Sequence, residues 1–332
     1  MNSTYEFLPN IYQVGGNDRR IERFENIFPL PGGVAYNSYL INDEKTALLD
    51  TVDSAISAEY MENIAYALNG RQLDYLIINH MEPDHCANIE EVLRRYPDVK
   101  VIGNAKTFQF FNQYYSMDLS SNRIEIKEGD ELSLGKHTLR FYMAPMVHWP
   151  EVMVTYEISQ GILFSADAFG SFGAMSGNIF ADEVEYDSYY LDEARRYYTN
   201  IVGRYGRQVQ ALLKKLSGLE INMICSLHGH IWRGDMLGFI LDKYDKWSRY
   251  VPEKKGVVIA YASMYGNTEN AVNALATKLA QRGAKDIRVY DVSKTHASYI
   301  ISDIFKYSNV VFASPTYNMT LYFPMDSLIR EL

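Results

Sequence analysis

The chain has 332 residues, 47% hydrophobic and 22% charged, with a formal net charge of −9. That length favours two cores over one, and the composition is that of an ordinary globular protein. An acidic balance with no basic block excludes nucleic acid as a partner, because nothing supplies the phosphate contacts.

The amino-terminal "MNSTYEFLPNIYQVGG" has no basic segment leading into an apolar run, so no secretory signal is expected. No stretch approaches the roughly 20 apolar residues of a spanning helix, so no membrane association is expected. Cys86 and Cys225 are the only cysteines. They give no disulfide framework and suit a reducing cytoplasm. The 27 tyrosines are scattered and read as packing residues.

From Tyr36 to about Val147 the chain reads as short strands and turns, "YNSYLINDEKTALLDTV", "VKVIGN", "RIEIKEGDELSL" and "HTLRFYMAP". Helical spacing interrupts them at Ser54 to Leu68, Ile89 to Leu93 and Lys106 to Tyr115. Strands follow at "VMVTYEI" and "GILFSAD", then a long amphipathic helical region, "YYLDEARRYYTNIVGRYGRQVQALLKKL". This order predicts two sheets in a sandwich with helices outside. After the polar "SRYVPEKKG" the pattern becomes βαβα, the signature of a parallel, doubly wound sheet. The expected division is residues 1–250 and residues 256–332.

The first chemistry-bearing stretch is "YLIINHMEPDHCANIEEVLRRYP". A turn leaving an apolar strand crowds His80, Glu82, Asp84 and His85 into six residues. Such a cluster repels itself unless a cation binds it. His148 in "APMVHWPEVM", Asp167 in "ILFSADAFGSFG" and His228 in "CSLHGHIWRGD" follow further predicted strands. Each alone reads as an ordinary hydrogen-bonded side chain; together they read as a metal site. Met81, Pro83 and Cys86 only shape the turn, and His230 and Trp232 read equally as packing or as support for the ligands.

The cluster resembles the first metal motif of the metallo-β-lactamase superfamily, His-x-His-x-Asp-His, with Glu82 at the second His. A carboxylate there adds negative charge and a harder oxygen donor, which favours iron over zinc. Three carboxylates and four imidazoles exceed the needs of one tetrahedral zinc and suit two irons bridged by a carboxylate. The run His-x-Glu-x-Asp-His, then His148, Asp167 and His228 after 62, 18 and 60 intervening residues, is similar to that of flavodiiron proteins. "YNSYLI", "HWP", "GILFSADAFGSFG" and "HGHIW" carry the same resemblance. By resemblance, His80, Glu82 and His148 hold the iron nearer the flavin, Asp84, His85 and His228 the other, and Asp167 bridges. His85 is the member of the set that is not always coordinated in the family.

The second segment opens with "VVIAYASMYGNTENA". A strand running through Ser263, Met264, Tyr265, Gly266, Asn267 and Thr268 into a helix makes a phosphate cradle from hydroxyls and backbone N–H groups. It has neither the Lys of a nucleoside-triphosphate loop nor the spaced glycines of a dinucleotide fingerprint. It resembles the flavodoxin loop for the phosphate of FMN, and Ser314, Pro315, Thr316, Tyr317 and Asn318 stand where flavodoxins contact the ring. Only three of the five strands of a flavodoxin-like sheet are counted. The expectation is therefore a partial flavodoxin-like sheet with its third strand an exposed edge, either an apparently truncated carboxyl end or a natural variant with a weakened flavin site, in a chain that binds FMN poorly while retaining iron.

The resemblance implies α/β and α+β folds in two domains, a metallo-β-lactamase-like αββα sandwich followed by the flavodoxin-like sheet. It implies a cytoplasmic oxidoreductase that reduces O2 to water, NO to N2O, or both. Two ferrous ions and a reduced flavin together hold the four electrons that O2 needs. A rubredoxin-like electron donor and a head-to-tail homodimer or tetramer are implied in the same way. The competing expectations are a zinc-dependent hydrolase of the same superfamily, or an iron-binding sensor without competent FMN.

Overall fold

The computed structural model describes residues 2–332. Seven strands form one sheet in the order Tyr5–Leu8, Ile11–Gln13, Tyr39–Asn42, Thr46–Leu49, Tyr75–Ile77, Lys100–Gly103 and Arg123–Glu125. Its last four strands run parallel. A second sheet has six strands, Glu131–Ser133, Thr138–Met143, Met153–Glu157, Ile162–Phe164, Met223–Cys225 and Trp232–Arg233. Between them lies an apolar layer that includes Ile41, Leu49, Ile77 and Ile102 from one sheet and Phe141, Met153, Phe164 and Cys225 from the other. The alternate residues of the same strands, among them Leu40, Leu48, Leu76, Val154, Leu163 and Ile224, face the helices and join a larger cluster. Strands buried on both faces read as continuous apolar runs, which is why "TALL" and "YLI" lack alternation.

A third sheet holds Ile287–Asp291, Lys254–Tyr261 and Tyr307–Ala313 in that order, all parallel. The first strand in sequence is central, as the crossover rule of a doubly wound sheet requires. Tyr307–Ala313 lies at an edge, with Val310 and Phe312 exposed. After it the sequence reads as a ring-contacting loop; the structure forms a hairpin there, Thr316–Tyr317 with Thr320–Leu321. Asn318 and Met319 at its tip both have positive φ, 47° and 63°, as a two-residue turn of this kind demands.

The long helical region expected around residues 189–216 is not continuous. Leu191–Tyr197 is α-helical, Tyr198–Val202 is a π-turn, Gly203–Tyr205 is 3₁₀, and Gly206–Leu216 resumes the α-helix. The helix resumes at Gly206, where a Cβ would lie 2.4 Å from the Ser248 carbonyl oxygen. No helix among the described residues is long and apolar enough to cross a membrane.

Candidate metal centre

Every strand end that the sequence marked delivers its side chain to one place. Tyr75–Ile77 leads into His80, and Pro83–Cys86 forms a single helical turn carrying Asp84 and His85. Ile162–Phe164 leads to Asp167, and Met223–Cys225 leads to His228. The last two strands are parallel neighbours, so Asp167 and His228 leave the same edge side by side. His148 comes from the loop between Thr138–Met143 and Met153–Glu157.

The seven side chains form two groups. His80, Glu82, His148 and Asp167 make one, and Asp84, His85 and His228 the other, all buried. In the first, Glu82 Oε2 lies 3.2 Å from His80 Nε2 and 2.9 Å from His148 Nε2. Asp167 Oδ2 lies 3.0 Å from His148 Nε2 and 3.4 Å from His80 Nε2. In the second, the Nε2 atoms of His85 and His228 are 3.0 Å apart, and Asp84 Oδ2 is 3.4 Å and 3.3 Å from them. Asp167 Oδ1 completes this group, 3.0 Å from His85 Nε2 and 3.7 Å from His228 Nε2. The two oxygens of Asp167 therefore face different groups, the arrangement of a bridging carboxylate.

These donors fit cations. Metal–ligand bonds of about 2.1 Å in octahedral geometry put neighbouring donors about 3.0 Å apart, close to the spacing seen here. Despite these short separations, Asp84 Oδ1, Asp84 Oδ2 and Asp167 Oδ1 are buried and form no hydrogen bond among the described residues. Buried carboxylate oxygens are costly in that condition and call for a positive charge.

Protons balance the charge in the metal-free protein. Burial works against a charged His148, but Asp167 and Glu82 beside it outweigh burial and raise its pKa to about 9. His80 is likewise buried, yet Asp167, Glu151 and Glu82 hold it well above the usual range. Burial opposes ionised Glu82 and Asp167 too, and the surrounding imidazoles hold both carboxyls down.

Two supporting residues escaped the sequence analysis. Glu151 is fully buried, and its Oε1 accepts from the Met81 N–H and faces His80 Nδ1, both at 2.8 Å. That fixes the His80 tautomer and aims the Nε2 lone pair at the cluster. Asp50 accepts from the backbone N–H groups of Asn79 and His80 and from Asn79 Nδ2, at 2.7, 3.1 and 2.7 Å. Burial raises Asp50 to about 6 against the pull of those donors. The available signals were slight: an acid ending the apolar "TALLD", and a Glu three residues after His148. His228 is oriented in the same manner, its Nδ1 donating to the Ala35 carbonyl at 2.9 Å.

Backbone strain gathers here. Asp50, Met146, Ala166 and Phe169 have φ of 56°, 65°, 50° and 70°, each costing on the order of 1 kcal/mol or more. Gly229, at φ 75°, passes so close to Ser171 that a Cβ would lie 2.2 Å from its Oγ. The other histidines stay apart from the cluster. His137 meets Glu157, His296 caps a helix, and both ring nitrogens of His230 are buried without a hydrogen-bond partner among the described residues. Trp232 Nε1 donates to the Phe169 carbonyl at 2.9 Å and steadies the loop after Asp167. A cleft of about 860 Å³ between the two parts of the chain is lined by Glu25, Phe28, His148, Trp149, Asn200 and Phe305, and gives an approach to His148.

In the third sheet, Tyr261 pairs with Ala313 and the Ala262 N–H donates to the Ala313 carbonyl. The segments Ser263–Thr268 and Ser314–Asn318 thus leave adjacent parallel strands at their carboxyl ends, the crevice where such sheets bind ligands. The helix Asn267–Gln281 begins after Gly266, φ 88°, with no side-chain cap. Its first N–H groups remain for an anion, and Ser263 Oγ shapes the loop by accepting from the Gly266 N–H at 3.0 Å. This cradle fits a phosphate group.

Residues 34–229 match the model of the ODP family beta lactamases, and residues 259–321 match flavodoxin. The chain is 33% identical to a nitric oxide reductase from Moorella thermoacetica, over 100% of this chain and 82% of that protein. Its structure is similar to rubredoxin oxygen:oxidoreductase from Desulfovibrio gigas, with a TM-score of 0.92 and 30% identity over 99% of this chain and 81% of that one. It is also similar to the flavodiiron protein from Giardia intestinalis, with a TM-score of 0.93 and 29% identity over 99% and 79% of the two chains.

Proposed function

The chain belongs to the flavodiiron protein family, and from that membership we propose that it is an oxidoreductase reducing O2 to water, NO to N2O, or both. We assign one iron to His80, Glu82, His148 and Asp167, and the other to Asp84, His85, His228 and Asp167. The observation that carries this assignment is the split of the two Asp167 oxygens between the groups. The bound irons and FMN supply the electrons for the reduction. The protein's own residues do the rest: carboxylates neutralise the cations, Glu151 and the Ala35 carbonyl orient imidazoles, and the apolar layers exclude water.

The FMN phosphate is assigned to Ser263, Met264, Tyr265, Gly266, Asn267 and Thr268, and the ring to Ser314, Pro315, Thr316, Tyr317 and Asn318. Uncapped N–H groups at the start of Asn267–Gln281 support the first of these. The domains are assigned as residues 1–250 and 256–332, the second centred on its own sheet and apolar cluster. Electrons come from a rubredoxin-like carrier, the donor in the name of the Desulfovibrio gigas relative. The working unit is a head-to-tail dimer or a tetramer in the cytoplasm, in which the cleft beside His148 receives the flavin of a second copy. The cleft's volume and its approach to a proposed iron ligand support that reading.

The test is anaerobic purification with metal and flavin analysis, then O2 consumption and N2O formation with reduced rubredoxin as donor. Two irons per chain with either activity are expected. Two zincs with hydrolysis of a lactam or thioester would replace this reading with the hydrolytic one. Sedimentation of the active species as a monomer would remove the dimer.

A further inference from the structure

Two consecutive arginines on the helix Leu191–Tyr197, Arg195 and Arg196, are 0% and 1% exposed. Charged side chains that deep are held by partners. Arg195 meets Glu253 and Asp192, and Asp192 in turn binds Lys306 at 2.9 Å. Arg196 does something different. Its Nη2 donates to Glu193 Oε2 at 2.6 Å and to the Pro29 carbonyl at 3.0 Å, and its Nη1 donates to Ser298 Oγ at 3.3 Å. The guanidinium carbon lies over two rings, 4.5 Å from the centroid of Phe172 and 4.4 Å from that of Tyr299.

The partners come from three places. Phe172 lies in the loop that follows Asp167. Pro29 ends the short hairpin Arg23–Phe24 with Phe28–Pro29. Ser298 and Tyr299 open the helix Ala297–Lys306 beside the third sheet. From Phe172 the packing runs on toward the metal centre. Its ring meets Tyr197 edge-on at 5.1 Å and Phe24 at 5.4 Å. Those two rings lie against His228, at 5.3 Å and 5.4 Å. Apart from the bond to the Ala35 carbonyl, the remaining ring on His228 is Tyr36, at 5.7 Å, and His85 meets its edge.

We propose that Arg196 is a positioning residue of the metal centre, fastening the flavodoxin-like domain to the loop after Asp167 so that its seating sets the plane of the His228 ring. A planar fork suits this task, because it donates along three directions while both faces stay free to stack. A lysine keeps the charge but neither the fork nor the plane. Interiors are close-packed, so a Phe172 that loses its support passes the displacement to Phe24 and Tyr197. The inference rests on the reading of His228 as an iron ligand.

The test compares wild type with Arg196→Met, Arg196→Lys and Tyr299→Leu, the last removing only the ring that is remote from the metal centre. Mössbauer spectra of the iron-loaded proteins resolve the two irons. One quadrupole doublet is expected to shift in all three variants while the other stays. Hydrogen exchange on the metal-free proteins should be about tenfold faster at residues 23–29 and 167–173, the loss expected for a buried cation–π contact. Both doublets unchanged, or both shifted equally, would overturn the proposal even if the variants melt at lower temperature. Should Arg196→Met fail to fold, Arg196→Lys and Tyr299→Leu decide on the same readouts. If wild type takes up no iron, the proposed function fails, and unchanged exchange at 23–29 and 167–173 then overturns the fastening separately.

Discussion

Replacing Glu151 by Gln changes one buried atom and tests how this fold aims an imidazole. Glu151 Oε1 accepts from the Met81 N–H and faces His80 Nδ1, each at 2.8 Å, while Oε2 is buried without a hydrogen-bond partner among the described residues. The amide can keep its oxygen on both donors, but each bond then loses the contribution of the charge, about half its strength. His80 becomes a weaker base, and supporting carboxylates of this kind are worth about 10–100-fold in metal affinity. The new NH2 falls where Oε2 lay, in a site that offers no acceptor, at a cost of about 1–3 kcal/mol in stability. Glu151→Ala leaves both the Met81 N–H and His80 Nδ1–H unsatisfied and should cost about twice as much. Iron affinity is read by chelator competition under anaerobic conditions, and stability by urea unfolding of the metal-free protein. Glu151→Gln is expected to lose iron to a chelator at a tenfold or more lower concentration. Wild-type affinity in a folded Glu151→Gln protein would refute the claim that Glu151 tunes His80.

Asp167→Ala removes the carboxylate whose oxygens face both groups; iron content should fall from two per chain toward none, and retention of both irons would remove the bridge. Glu82→His restores the imidazole of the hydrolase motif and should shift the site toward zinc when both metals compete; an unchanged iron share would refute the role given to Glu82. In metal-free protein the His148 pKa is about 9, above the ordinary imidazole value. Protonated His148 therefore stabilises that fold fully below about pH 6.5, a contribution of about 3 kcal/mol that disappears as pH rises through 9. The urea midpoint of metal-free protein should fall between pH 6.5 and 9.5, and iron loading at pH 7 should release protons, which calorimetry in buffers of different ionisation enthalpy detects. A flat midpoint with no proton release would contradict the charge balance described above.

The seven clustered side chains were legible in the sequence because their physics is local. Two imidazoles and two carboxylates within six residues cannot share a turn comfortably without a cation, and apolar runs announce the strands that carry His80, Asp167 and His228 to a rim. The βαβα alternation after Pro252 was equally plain, since a period of two and a period of 3.6 are written into neighbouring residues. Interrupted helicity was not: "EARRYYTNIVGRYG" keeps an amphipathic pattern through the π-turn, so the local period does not mark the break.

Long-range pairing had to come from the folded chain. Nothing near Glu151 in sequence says that it meets His80, 71 residues away, and Asp50 reaches Asn79 and His80 only because their strands are parallel neighbours. Arg195 and Arg196 are both buried, and Arg196 sits where the loop after Asp167, the hairpin ending at Pro29 and the helix opening at Ala297 meet, none of them near it in sequence. Residue types and spacing dictate which chemistry is possible, because donor atoms and periodicity are properties of the chain itself. Which oxygen of Asp167 faces which group, and which carboxylate holds which imidazole, depends on atoms distant in sequence that become neighbours only when the two sheets and their helices close.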